Sequence, residues 1–400
     1  MANIFNNESY EELGSPADLV IPDDVTEIDS YAFRNCTSLQ SIIIPEGVTK
    51  IGDRAFCGCT SLRSVTIPES LTKIGLEAFC GCNLDDLDIE TSRFIFKHGL
   101  IINKENNSLI SSAFTKITHV NIPEGVTRIC RYAFHCCTSL QSVTIPDSVT
   151  VIGDEAFERC SLLQSIVLPK GMTKIRKYLF LHCTSLQNIV IPESVTEIRG
   201  GAFSGCWSLQ SVTIPDGVTV IGDEAFLDCT SLQSITIPEG VTVIGDEAFE
   251  GCTSLQSITI PEGVTVIGNE AFGWCTSLQS VTIPEGVTRL DAIFVNCKSL
   301  QSVVIPKSVT RILGTFYGCT SLQSVAIPES VTEIGYYTFY GCTSLMTVTL
   351  LNPKVKIDKS AFTGCTGITT VNLPEGLTWS KVKDKFADSP WCQNKPTETK

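Results

Sequence analysis

Polar and apolar residues alternate in short bursts along the chain, each closed by a proline. In Leu209-Gln210-Ser211-Val212-Thr213-Ile214-Pro215 the apolar Val212 and Ile214 alternate with Ser211 and Thr213, the period of two that marks a half-buried strand. Proline has no N–H to give to a ladder, so the strand is predicted to stop after about three or four residues. The Gly217-Val218 step then turns the chain, and Gly222-Asp223-Glu224-Ala225-Phe226 suits a short helical turn that packs its Phe inward.

The unit recurs. Phe followed three residues later by Cys appears fourteen times, from Phe33/Cys36 to Phe362/Cys365. Most intervals are 23 residues; two shorten to 22 (Phe272 to Phe294 to Phe316), and one stretches to 55 between Phe79 and Phe134. A 23-residue unit is too short to enclose a core, so each coil must bury its apolar face against its neighbours, and one continuous solenoid is predicted rather than several domains. Residues 1–18 read as an N-terminal cap, 19–376 as the repeats, and 377–400 as a C-terminal cap with Trp379, Phe386 and Trp391 followed by a fraying tail. Between Leu87 and Val120 the pattern breaks. Gly99 to Asn103 and Ser108 to Ser112 read as two short strands around a polar turn, a hairpin-like insertion (93–116) in one lengthened repeat. A tolerated surface insertion and a functional one are both open readings.

The run L-x-x-V-x-I-P-x-x-V-T-x-I-G-x-x-A-F-x-x-C, as from Leu232 to Cys252 with Ile235 at the Val position, resembles the leucine-rich repeat superfamily and most closely its BspA-type branch, over about residues 19 to 376. The expected fold is an α/β solenoid: a curved right-handed superhelix of about fifteen coils, roughly 70 Å long at ~4.8 Å per coil. Its short-stranded parallel sheet lies on the concave face and irregular or 3₁₀-like turns on the convex side. The resemblance implies a surface or binding role, since that branch contains many adhesion and host-interaction proteins, and implies no enzymatic reaction.

Composition narrows the function classes. A chain with 43% hydrophobic and 18% charged residues is not disordered, and 29 basic against 43 acidic residues give a net charge of −14. That balance argues against nucleic acid and anionic membrane surfaces as partners. The opening stretch has no apolar core behind basic residues and no later apolar run is long enough to span a bilayer, so neither ordinary secretion nor membrane insertion is expected.

Fourteen of the 19 cysteines occupy the repeat position; the others are Cys57, Cys80, Cys130, Cys136 and Cys392. The repeat cysteines read as a buried ladder of reduced thiols that fill space beside Phe, which favours a reducing, cytoplasmic setting, while the resemblance allows the cell surface. Cys57 and Cys80 should be neighbours on adjacent coils. A Cys57–Cys80 disulfide and a zinc site using Cys59 and Cys82 compete with free thiols, but the ladder pair should face inward and the other pair outward, so no metal or cofactor is assigned. Two acidic rows, one of Glu193, Asp216, Glu239, Glu262 and Glu285 and one of Asp154, Asp223 and Asp246, read as solvated edges rather than a calcium rail. The basic Lys170, Lys174, Arg176 and Lys177 read as a solvated face or a partner contact.

His98, His119, His135 and His182 are the only histidines, and no motif pairs a nucleophile with a base, so no enzyme is expected. Candidate partner-binding residues are the outward hydroxyls Ser211, Thr213, Ser234, Thr236, Ser257, Thr259, Ser280 and Thr282. Near the insertion, Asp86 and Asp88 should take the outward slots of one strand, and His119 and Asn121 those of the next coil. A hydroxyl column is equally what strand propensity and solubility would select. The expected function is a non-enzymatic scaffold binding a protein or glycan on the concave face, for adhesion or host contact. An intracellular structural or signalling adaptor is the alternative, and an enzyme whose site is not visible in sequence a remote one. The oligomeric state is left open.

Overall fold

A computed structural model describes residues 3–114 and 116–393. The chain forms two compact units, the first ending at Ser194 and the second starting at Val195. Both are built of the same short turn, and the repeats amount to about 16 turns of β-solenoid with parallel sheets.

In the second unit one strand comes from each predicted S-V-T segment: Ser211–Thr213, Ser234–Thr236, Ser257–Thr259, Ser280–Thr282, Ser302–Val304, Ser324–Ile327, Thr347–Leu350 and Thr370–Asn372. They pair in parallel with like residues opposite, for example Ser257 with Ser280 and Ile258 with Val281. The middle residue is buried and its two neighbours face solvent. These strands end one to three residues before a proline, and in most turns the proline carbonyl accepts from the Val three residues on, as Pro238 does from Val241 at 3.1 Å.

A second parallel series was not foreseen from the sequence. It is made of two- and three-residue strands such as Val220–Ile221, Val243–Ile244 and Val266–Ile267, paired Ile221 to Ile244 to Ile267. The sequence signal there is the β-branched run V-T-V-I, whose two final apolar residues break the alternation and leave only two residues to pair.

The predicted helical turn over G-D-E-A-F is not helical. Glu224 and Asp228, two residues either side of Phe226, have φ of +56° and +57°. The segment is a run of tight turns in which Ala225, Leu227 and Cys229 donate to the carbonyls three residues back, while the alternate residues Glu224, Phe226 and Asp228 donate backbone N–H groups to Asp246, Ala248 and Glu250 of the next turn at 2.7–2.8 Å. A helical turn would satisfy those donors within itself and leave none for stacking; the ladder offsets the cost of two left-handed residues, ~1–2 kcal/mol each. Among the described residues, helix is confined to Asn7–Glu12, Trp379–Val382, Lys383–Phe386 (3₁₀) and Pro390–Gln393.

The core of each unit is a stack of phenylalanines. Phe203, Phe226, Phe249 and Phe272 are fully buried and stack at 5.2–5.4 Å with near-parallel rings. Burying each ring contributes roughly 1.5–3 kcal/mol. At the end of the second unit Phe362 stacks on Phe386, which meets Trp391 edge-on. The fraying tail expected beyond lies outside the described residues. In the first unit Phe5 stacks on Phe33 with Tyr10 against the same ring. Strand Ile4–Phe5 also pairs with Glu27–Ile28, so the N-terminal segment supplies a strand as well as a helix.

The lengthened repeat interrupts both series in the first unit. One series runs Asp18–Val20, Ser41–Ile43 and Ser64–Thr66 and resumes at His119–Asn121. Between them lies an antiparallel meander, Asp88–Glu90, Phe94–Lys97, Leu100–Asn103 and Ser108–Ser112, two strands more than the expected hairpin. Its last strand returns to parallel pairing with Arg128–Ile129.

Candidate functional site

The predicted outward residues fall into two groups. Ser211, Thr213, Ser234, Thr236, Ser257, Thr259, Ser280 and Thr282 are all exposed, with Thr236 opposite Thr259 and Thr259 opposite Thr282. They form two uncharged columns on the outer face of one sheet. His119 and Asn121 are exposed at either end of one strand, and His119 Nδ1 meets Ser142 Oγ at 2.7 Å.

Asp86 and Asp88 are placed differently from the expectation. Asp86 is exposed in a turn that precedes the strand. Asp88 opens Asp88–Glu90, which pairs antiparallel with Phe94–Lys97, putting Asp88 opposite Lys97. The physical reason is the meander: its edge captures this segment, so neither aspartate joins the hydroxyl columns. Valines instead break those columns. Val167 and Val190 pair side by side at 76% and 75% exposure, and Val304 is 72% exposed.

The strongest concentration of chemistry was missed in the sequence and lies in the first unit. The residue after each Phe forms its own column, which reads Arg34, Cys57, Cys80, then His135 and Glu158. The lengthened repeat supplies no Phe/Cys turn of its own: Phe79 meets Phe96 edge-on, and Phe114 meets Phe134. The turns of Phe79 and Phe134 therefore face each other through side chains, across a cleft of about 530 Å³.

Glu77, only 2% exposed, places one carboxylate oxygen against His135 Nδ1. Its other oxygen accepts from Arg54 Nε at 2.6 Å. Cys80 Sγ donates to the His135 carbonyl at 3.3 Å; His135 Nε2 lies 3.3 Å from Cys136 Sγ and 3.9 Å from Glu158 Oε1. Burial alone would depress the His135 imidazole, but hydrogen bonds to Cys136 and Glu77 win and push it up to about 10. Burial opposes the charge of Glu77, yet His135 and Arg54 together hold its carboxyl below the ordinary value. The neighbouring Cys80 thiol holds the Cys57 thiol down, at about 7, against the effect of burial.

Cys57 and Cys80 are thus neighbours, as the spacing predicts, and both are unlinked thiols. Cys59 and Cys82 point the other way, fully buried, and donate to the carbonyls of Phe33 and Phe56 at 2.9 and 3.1 Å. The signal for the cleft in the sequence is the 55-residue interval combined with the column after each Phe; it joins Cys80 to His135 only once the lengthened repeat is known to omit a Phe/Cys turn.

Stacked parallel strands around an aromatic core, closed by a thiol ladder, define a leucine-rich-repeat solenoid. The chain belongs to the BspA-type leucine-rich repeat family: the pattern of that repeat region matches in six copies, over residues 3–104, 105–232, 197–315 and 291–388. It is similar to a solved leucine-rich repeat protein from Bacteroides ovatus ATCC 8483, with 31% identity and a TM-score of 0.68 over 94% of this chain and 91% of that one. A leucine-rich repeat protein from Eubacterium ventriosum ATCC 27560 shares the fold at 22% identity and a TM-score of 0.51, over 77% of this chain and 84% of that one. No curated protein matches the chain. Among the described residues no helix is long and apolar enough to cross a membrane.

Proposed function

We propose that the protein is a non-enzymatic scaffold that binds a protein or glycan partner across the outer face of the S-V-T strands. One observation carries this reading: Ser and Thr columns repeat in register over successive turns of the second unit, exposed and uncharged. Such a surface offers contact area at a lower desolvation cost than the charged rows elsewhere. In the first unit Val167 and Val190 add an exposed apolar pair, side by side on adjacent strands. Membership in the family favours adhesion or contact with a host cell; an adaptor inside the cell would use the same surface.

The test is affinity capture with the full chain, followed by binding measurements with the purified partner. Replacing Thr213, Thr236 and Thr259 together by Lys is expected to abolish binding while circular dichroism stays unchanged. Retained affinity in that variant and in Val167→Lys/Val190→Lys would refute the assignment of this face. Surface labelling of intact cells separates adhesion from an internal adaptor role.

A further inference from the structure

We propose that the cleft left by the lengthened repeat is a binding site for one zinc-like divalent metal ion, held by Glu77, Cys80 and His135 with Cys57 as the fourth donor. Ligand atoms of the first three lie within 4.8 Å of one another, although the residues come from turns 58 positions apart in sequence. Cys57 lines the same cleft on the adjoining turn, where Gly58 donates to the Cys80 carbonyl at 2.8 Å; with its thiol turned to the ion, the set would be two sulfurs, one imidazole nitrogen and one carboxylate oxygen.

That donor set selects the metal class. Zinc is bound tetrahedrally by Cys, His and carboxylate ligands, and thiolates with imidazole suit borderline and soft ions. Calcium and magnesium need about six or more oxygens, which this cleft does not supply. Charge also balances: two thiolates and one carboxylate carry three negative charges, the ion offsets two, and Arg54 on the free oxygen of Glu77 offsets the third.

An outer layer is already in place. Metal-binding histidines use the other ring nitrogen to contact a carboxylate or similar group. Here Nδ1 faces Glu77 while Nε2 faces Glu158 at 3.9 Å and Cys136 at 3.3 Å. Binding would displace the proton shared by Glu77 and His135 and release one from each thiol to solvent, with no oxidant or reductant involved. The set is not the four-cysteine one weighed from spacing, because Cys59 and Cys82 are turned into the core.

The test uses the untagged full chain under a non-coordinating reductant. Elemental analysis after zinc loading and dialysis is expected to find one zinc per chain. Cobalt(II) in its place is expected to give a thiolate charge-transfer band with tetrahedral visible bands. Cys80→Ser and His135→Ala should each weaken zinc, measured by chelator competition, by more than the about 10–100-fold typical of losing an outer partner. Glu158→Gln should fall within that range, and Cys130→Ser should change nothing. Failure of the folded wild-type chain to retain zinc overturns the proposal, as does a cobalt spectrum without thiolate bands. So does equal retention by folded Cys80→Ser and His135→Ala. Rapid alkylation of Cys136 in a chain that holds no zinc would mark the cleft as a nucleophilic thiol site instead.

Discussion

At the scale of single residues, positions that look like fillers act as hydrogen-bonding parts. Most ladder thiols donate to the carbonyl of the Phe one turn back, as Cys252 does to Phe226 at 3.3 Å, and the interval of 26 residues becomes 25 where the turn shortens; beside the lengthened repeat Cys137 meets Ser112 Oγ instead, at 3.0 Å. A small apolar side chain with one weak donor is therefore required there, which Ala and Val do not provide. Cys252→Ala should cost about 0.5–1.5 kcal/mol, the net worth of one hydrogen bond, because the Phe226 carbonyl still accepts from the Cys229 N–H at 3.2 Å, and Cys252→Ser less, since its hydroxyl still donates; urea denaturation midpoints check both. The acidic row has a similar explanation. Asp223 Oδ1 accepts from the backbone of Asp246, and Asp246 Oδ1 from that of Asn269, at 3.0 and 2.7 Å, so these carboxylates join turns as well as facing water.

At the scale of elements, the lengthened repeat shows how a solenoid accommodates a unit of different length. Phe96 and Phe114, both buried, fill the interior where a Phe/Cys turn is missing, and the strand Ser108–Ser112 re-enters the parallel series at Arg128–Ile129. The interior stays closed while the edge stays open, and the open edge is the cleft. Phe96→Ala should destabilise the first unit by about 3–5 kcal/mol. Amide hydrogen exchange should show the loss of protection centred on the turns of Phe79 and Phe134, the rings beside the insertion, because each turn contacts chiefly its neighbours.

At the scale of the whole molecule, an excess of acid is built into a structure that stacks like residues on like. Burial and then the charges of Glu270, Glu247 and Asp228 push Glu250 up to about 7. A glutamate whose pKa rises on folding keeps a proton that the unfolded chain gives up. Its favourable share is present below the ordinary glutamate range and is lost as pH rises through about 7. Glu250→Gln should therefore raise the thermal midpoint at pH 8 by about 2 °C, with the modest size set by solvent screening, and have little effect at pH 5. Equal shifts at both pH values would contradict this origin. Repeats thus concentrate charge as effectively as they concentrate apolar area, and a net charge of −14 is part of what stacking must overcome.

The sequence by itself determined the repeat, the strand in every S-V-T segment, the inward Phe and Cys and the position of the lengthened unit. All of these follow from periodicity, which is local and survives in one dimension. Only the tertiary structure decided the second strand series, the left-handed corners that replace a helical turn, the capture of Asp86 and Asp88 by the meander and the meeting of Glu77 and Cys80 with His135. Each of these depends on which backbone donors a neighbouring turn leaves free, and on what fills the space when one turn is omitted. Those quantities belong to pairs of turns brought together in space, and no single repeat carries them.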